Sequence, residues 1–220
     1  MWINPLFEAD ARHEVTQLLR AHSLVTLVAE APLRAAHLPL LLEDDGESMT
    51  LVGHIPRIDP LAAAIAEGAE ILCIVHGARA YVSPEWYEAP GLSTYNFSVA
   101  HLQGHAAAMQ DQAELRAHLV DLTRVHEARK SADGGEPWQI DAVADARIDA
   151  LLPLVQGFRI RVETAQAKTK FGQNRSEGDR ASTRAHLRRA AADEARAVAE
   201  RMAQYEDGPG PSGRARAVEH

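Results

Sequence analysis

The stretch Asp44-Asp45-Gly46-Glu47-Ser48-Met49-Thr50-Leu51-Val52-Gly53-His54-Ile55-Pro56-Arg57-Ile58-Asp59-Pro60 carries the first decision about the fold. Asp44-Asp45-Gly46-Glu47 is a hairpin turn. Met49 to His54 reads as the strand that returns from it. The chain then enters a short helix, with Asp59 as cap and Pro60 at its first position, ended by Gly68. Before the turn, Ala35 to Leu42 reads as the partner strand, and its Pro39 argues for an edge or a bulge. Short hairpin links point to an antiparallel sheet rather than to parallel strands with long crossovers.

The flanks agree. A helix starts near Asp10, with Val15, Leu18, Leu19 and His22 on one face. Ser23 to Ala29 is a strand rich in branched residues. Glu70 to Val75 reads as a buried strand, with Ala80 to Ser83 pairing after a turn at Gly77. A loop from Pro84 to Ser93 precedes a long strand, Thr94 to Met109. Gln112 to Arg129 and Ala142 to Leu152 are helices, separated by a loop at Asp133-Gly134-Gly135, and Gly157 to Thr164 is a returning strand. This order predicts an α+β fold, an antiparallel barrel with helices outside.

The chain has 220 residues and a formal charge of -8, which weakens any reading based on bulk attraction to nucleic acid. Residues 1–174 carry -9 of this, and the segment from Arg175 onward is nearly neutral. Leu187, Ala191, Val198, Met202 and Tyr205 mark a narrow apolar stripe on a C-terminal helix, packed on the barrel or on a second subunit. There is one cysteine, Cys73, and there are eleven histidines. No stretch approaches a membrane span, and the start lacks a signal-peptide pattern, so a cytoplasmic location is expected. Walker, GxGxxG, HExxH, paired CxxC and GxSxG motifs are absent from the sequence.

Three segments can carry chemistry. In Gly53-His54-Ile55-Pro56-Arg57, an arginine beside a helix start suits an anion, and His54 suits a ligand or acid-base role. The bland alternative is a strand-end histidine and an Arg57–Asp59 pair. The second segment sets Tyr81-Val82-Ser83-Pro84-Glu85-Trp86-Tyr87 and Thr94-Tyr95-Asn96-Phe97 on either side of a Pro/Gly loop. Such aromatics, with Ser83, Thr94 and Asn96 as polar anchors, suit the wall of a planar-ligand pocket or else a local mini-core. The third segment is Lys168-Thr169-Lys170-Phe171-Gly172-Gln173-Asn174-Arg175, either a solvated turn or a set of donors for an anion.

Together these segments resemble the PaiB-type FMN-binding negative transcriptional regulators, a family of homodimeric split β-barrels. Asn4-Pro5-Leu6-Phe7, His37-Leu38-Pro39, Gly53-His54 with Arg57 and Pro60, Ala80 to Tyr87, and Gln173-Asn174-Arg175 with Asp179 carry the likeness. The resemblance implies a split-barrel domain over residues 1–180. A C-terminal helix is expected over 181–206 and a disordered tail over 207–220. The sequence departs from the family at Arg79, Tyr95, Phe97 and Phe171-Gly172, all at the presumed cofactor wall. Gly91 to Phe97 and Pro56 to Leu61 are similar to the haem-dependent piperazate synthase branch.

That branch implies haem b, with FMN as the alternative, and dehydrative cyclisation of N5-hydroxy-L-ornithine to L-piperazic acid. It implies His54 as axial iron ligand, with His37 in reserve. Tyr95 or Lys168 would supply a proton, and Arg79, Lys168 or Arg175 would hold the substrate carboxylate. Arg57 would hold a propionate. Tyr81, Ser83, Trp86, Asn96, Lys170, Gln173, Asn174 and Arg175 would line the cofactor site. A flavin-binding regulator and a haem-degrading or haem-storing barrel are the competing readings, and a homodimer is the expected assembly.

Overall fold

A computed structural model describes residues 1–30, 33–132 and 134–207. The strands are β1 (Glu8–Ala9), β2 (Leu24–Ala29), β3 (Arg34–Pro39), β4 (Leu41–Asp44), β5 (Met49–Pro56), β6 (Glu70–Val82), β7 (Thr94–Ala108) and β8 (Val155–Lys170). The helices are α1 (Ala11–Ala21), α2 (Pro60–Ala66), α3 (Gln112–Ala132), α4 (Ala142–Leu151), α5 (Glu177–Arg189) and α6 (Asp193–Asp207). Among the described residues two compact units result: Met1–Ala21, His76–His101 and 166–207 form one, and His22–Val75 with Leu102–Ala165 form the other. The strands β6, β7 and β8 each contribute one part to each unit.

The second unit is the barrel. Its strand order is β3-β2-β6-β7-β8-β5-β4, and the pairings β2–β3, β2–β6, β4–β5 and β5–β8 are antiparallel. The two ends of that order, β3 and β4, are separated in the chain by Leu40 alone. One residue cannot cross a flat sheet seven strands wide, so the sheet must curl until its edges lie close. The path of hydrogen bonds stays open at that seam, which is the split-barrel arrangement. Leu40 is 1% exposed, and its N–H donates to the Ser23 carbonyl at 2.9 Å. Val25, Leu27, Leu51, Ile55, Cys73, Phe158 and Ile160 are fully buried. On β5, Val52 lies on the opposite face from Leu51 and packs with Leu115 and Leu119 of α3. Arg116 of α3 ties down α4 through Asp149 at 2.8 Å and through Asp145.

The first unit gathers α1, α5 and α6. Leu187, Val198, Ala199 and Met202 are buried with Ala78, Ala80 and Phe171. Glu14 of α1, itself buried, accepts two bonds from Arg201 Nη2 of α6, at 2.8 and 2.9 Å. The apolar stripe of the C-terminal segment is therefore spent inside its own unit.

Several expectations need correction. Ala35 to Leu42 is two strands broken at Leu40, not one. Gly77 is no turn, because Glu70–Val82 is one continuous strand. A Cβ at Gly77 would collide with Ser98 Oγ and approach Leu18 Cδ2 to 2.7 Å, so close packing explains that glycine. The 181–206 stretch is two helices, α5 and α6. The break falls at Ala190, which is extended, and α5 already starts at Glu177, capped by Ser176. No glycine or proline marks that break, and Ala191 is exposed rather than part of the stripe. Lys168 and Lys170 are strand residues, because β8 runs six residues past Thr164. Asp207, expected in the tail, is the last residue of α6, and Asp133 and residues 208–220 lie outside the described residues. No described helix is long and apolar enough to cross a membrane.

Gly104 of β7 faces the Arg161 backbone of β8, and a Cβ there would collide with that carbonyl oxygen and come within 2.9 Å of its carbon. Backbone cannot step aside as a side chain can. Gly104→Ala is therefore expected to destabilise the fold by about 2 kcal/mol or more in chemical denaturation. Gly135→Ala, in open space, is expected to stay within about 0.5 kcal/mol.

Candidate active site

In the helical unit, Tyr95, Phe97 and His101 of β7 face one way together with the buried Val99, and the buried Asn96, Ser98 and Ala100 face the other. On β6 the burial phase shifts at Gly77-Ala78, where two residues in succession are buried. The shift puts His76, Arg79 and Tyr81 together on the exposed face. Between these strands lies a cavity of about 400 Å³, lined by His76, Arg79, Tyr95, Phe97, Val99 and His101, with Gly77 and Ser98 also reaching its wall. That volume falls in the range of cofactor and small-ligand sites. Tyr81 and Tyr95 meet edge to face, with ring centroids 5.9 Å apart.

The charges there are biased in one direction. Burial lowers the His76 pKa, and the Arg79 guanidinium lowers it further. Burial also lowers His101, helped by the N-terminal ammonium and His76. Both imidazoles are neutral at pH 7. Lys170 is lowered by burial and by Lys168 and Arg175, and its ammonium donates to Thr94 Oγ1. Three cations lie over aromatic faces. Lys168 Nζ is 5.5 Å from the Trp2 ring and 5.7 Å from Phe97, Lys170 Nζ is 5.9 Å from Phe7, and Arg175 is 4.2 Å from Tyr87. Arg79 reaches Glu194 only at 3.9 Å, with both side chains more than half exposed, so this pair holds it weakly.

Other expected site residues lie outside the lining of this cavity. Asn96 is 2% exposed and donates to Met202 Sδ at 3.4 Å, on the strand face opposite Tyr95. Ser83 caps the short turn Pro84–Trp86. Trp86 stacks on His186 with 4° between ring planes. Gln173 clamps the turn after β8, accepting from the Phe171 N–H at 2.7 Å and donating to the Thr169 carbonyl at 2.6 Å. Asn174 is exposed in the same turn.

The barrel unit holds the remaining candidates. Arg57 donates to Gln156 Oε1 at 2.6 Å, while Asp59 caps α2 by accepting from the Leu61 N–H at 2.8 Å. The Arg57–Asp59 pair of the bland alternative does not form. His37 Nδ1 lies 3.0 Å from Thr26 Oγ1, its neighbour across the β2–β3 ladder. His54 shares the Val52 face of β5 under α3, and its Nδ1 lies 3.2 Å from His118 Nε2. Burial lowers the His54 pKa. His118 is pushed down to about 4, first by burial and then by His54. Sequence reasoning named neither His76 nor His118 as functional. The alternation Tyr95-Phe97-Val99-His101 was a usable signal for His101. The β5–α3 contact that selects His118 is a tertiary fact with no local trace.

Residues 1–164 match the family described as "Putative FMN-binding domain". The chain belongs to this FMN-binding-domain family. It is 28% identical over 181 residues to "Protease synthase and sporulation protein PAI 2" of Bacillus subtilis, covering 81% of this chain and 85% of the relative. This supports the PaiB-type likeness. Among solved structures, the FAD and heme binding protein from Mycobacterium smegmatis aligns with TM-score 0.53 and 18% identity, over 75% of this chain and 74% of that one. The flavocytochrome Anf3 from Azotobacter vinelandii aligns with TM-score 0.54 and 15% identity, over 80% and 75%. At these identities the structures establish a shared fold.

His118 sets a pH dependence. An unfolded histidine titrates near 6.5, and the folded value lies near 4, so the unfolded chain binds the proton first as pH falls. Stability from this group is whole above pH 6.5 and is lost on the way down to 4. Urea unfolding at pH 7 and pH 5 is expected to show a fall, about 2 kcal/mol of it from His118. In His118→Gln that fall is expected to narrow by a similar amount.

Proposed function

We propose that this family member is a haem-dependent piperazate synthase, closing N5-hydroxy-L-ornithine to L-piperazic acid with formation of an N–N bond and loss of water. The observation that carries the reading is the donor set of the 400 Å³ cavity: one guanidinium, one phenol and two neutral imidazoles on a lining that is apolar apart from Ser98. That set suits a zwitterionic substrate and a proton-coupled bond cleavage. Arg79 binds the carboxylate, with Lys168 and Arg175 as further cations. Tyr95 donates a proton to the departing oxygen. His76 and His101 are bases able to take the proton that the α-nitrogen must lose.

The atoms balance. The α-amine lone pair forms the bond to N5, the N5–O bond breaks with its electron pair leaving on oxygen, and the protonated oxygen departs as water. A bound haem supplies a Lewis-acidic iron that makes the hydroxylamine nitrogen electrophilic. A neutral imidazole is the ligand type required, and burial keeps His54 neutral. His54, which belongs to the barrel unit and is not among the residues lining that cavity, would hold the iron through Nε2, the nitrogen not turned to His118. His37 stands behind it as reserve, and Arg57 would pair with a propionate.

Two further parts belong to this proposal. The protein works in the cytoplasm, and it works as a homodimer. Trp2 and Leu92 are 78% and 82% exposed, and Tyr81 and Tyr95 are about half exposed, apolar surface that a second copy would cover. An FMN-binding protein without this chemistry is the second reading, favoured by the family match.

The absorption spectrum of the purified protein separates them. A sharp band near about 400 nm supports haem, and bands near about 450 nm support flavin and would overturn the synthase. Given haem, Tyr95→Phe is expected to lower kcat about 10²-fold or more at unchanged haem content. Arg79→Ala is expected to raise KM for N5-hydroxy-L-ornithine. Sedimentation as a monomer would remove the homodimer.

A further inference from the structure

His54 on β5 and His118 on α3 form a ring-to-ring contact, with centroids 5.4 Å apart and 64° between planes. The His54 Nδ1 and His118 Nε2 atoms are 3.2 Å apart, so one of the two nitrogens must carry the shared proton. His118 is 5% exposed, and its other nitrogen, Nδ1, has no hydrogen-bond partner. The nearby charged groups are engaged elsewhere. Glu43 of β4 and Glu114 of α3 both bind Arg159 of β8, and Asp121 of α3 pairs with Arg124. The group behind His54 is thus a neutral ring, not a carboxylate.

We propose that His118 is the positioning residue for His54 as a metal ligand, holding its Nδ1 so that Nε2 is the nitrogen offered to iron. This rests on the haem reading above and goes beyond it, because it assigns a role to a helix residue outside the aromatic cavity. Two arrangements of the pair exist. In the first, His118 Nε2–H donates, the His54 proton sits on Nε2, and His118 Nδ1 is bare. In the second, His54 Nδ1–H donates, the His54 Nε2 lone pair is free, and the His118 proton sits on Nδ1. A buried N–H without an acceptor costs more than a bare ring nitrogen, so the metal-free chain takes the first. Ligation through Nε2 requires the second. Metal binding therefore exchanges the tautomers of both rings, with no net gain or loss of protons by the pair. A neutral acceptor also donates less electron density to the ligand than a carboxylate would, which keeps the iron electrophilic, as N–O cleavage demands.

The test uses the full chain labelled with ¹⁵N-histidine and zinc protoporphyrin as a diamagnetic probe. Two-bond ¹H–¹⁵N spectra are expected to show His54 protonated on Nε2 without the probe and on Nδ1 with it. His118→Leu is expected to bind the probe about 10- to 100-fold more weakly. His118→Gln, whose amide can donate or accept, is expected to restore binding to within a few-fold of the native chain. An unchanged His54 tautomer, or native affinity in His118→Leu, overturns the proposal. If His118→Leu does not fold, the tautomer exchange and the Gln variant decide. No uptake by the native chain, or uptake that survives His54→Ala, overturns the ligand reading of His54 and this inference with it. Uptake lost in His54→Ala but untouched in His118→Leu overturns this inference alone.

Discussion

The constraint on which the barrel unit depends is the single residue between β3 and β4. These strands occupy opposite ends of the hydrogen-bonded order, yet Leu40 alone connects them. Curling follows from chain length before any side chain is considered, since one residue spans about 3.5 Å and adjacent strands lie about 4.8 Å apart. The curl gives the sheet an inside and an outside. Leu51 and Ile55 fill the inside, and Val52 and His54 are left outside for α3 to cover. A one-residue slip in β5 would exchange these faces and move His54 into the core. The location of the candidate ligand is thus a consequence of register, and register is a consequence of the hairpin Asp44–Ser48, where Asp45 fixes the turn through the Glu47 and Ser48 N–H groups at 2.9 and 2.7 Å.

In the helical unit the corresponding constraint is alternation along β7. Asn96, Ser98 and Ala100 are committed to the core, so the cavity inherits Tyr95, Phe97 and His101 from the other face of the strand. The cavity's electrostatics follow from what surrounds it. Positive neighbours and desolvation both act against protonation of His76 and His101, so neutrality there is enforced twice. The same positive surroundings attract carboxylates. On the proposed function, a chain with a net charge of -8 would thereby keep a local site of the opposite sign, separating recognition of a small anion from any bulk attraction to a polyanion.

What the sequence disclosed tracks the range of the physics involved. The hairpin at Asp44–Glu47, the Asp59-Pro60 cap and the long strand from Thr94 are local chemistry, and their outlines were legible. The breaks at Leu40 and Ala190 carry no glycine or proline and were not. Gly77 was misread because a glycine demanded by the approach of Ser98 and Leu18 looks, in sequence, like a glycine demanded by a turn. Lys168 to Arg175 read as a charged run because strand alternation there is masked by lysines whose ammonium groups lie over aromatic rings. At the site, Arg79 and Tyr95 were legible as departures from a family pattern and do share a cavity. Asn96, one residue from Tyr95, was assigned to the same wall on composition, whereas the pleat sends it to the other face.

The two cofactor readings make different demands on these residues, and the difference is local. Cations do not separate them, because a flavin phosphate and a haem propionate are both anions and Arg57 or Lys170 suits either. Aromatic walls do not separate them either, since both groups are planar. A ligating imidazole does. A flavin makes no use of one, and two histidines set edge to face under a helix, one with a buried nitrogen that finds no partner, are a costly way to fill space that Leu or Phe would fill better. The cost is intelligible if His54 must present one particular nitrogen to a metal. The His54–His118 contact is therefore the place in the molecule where haem and flavin lead to different expectations for the same atoms.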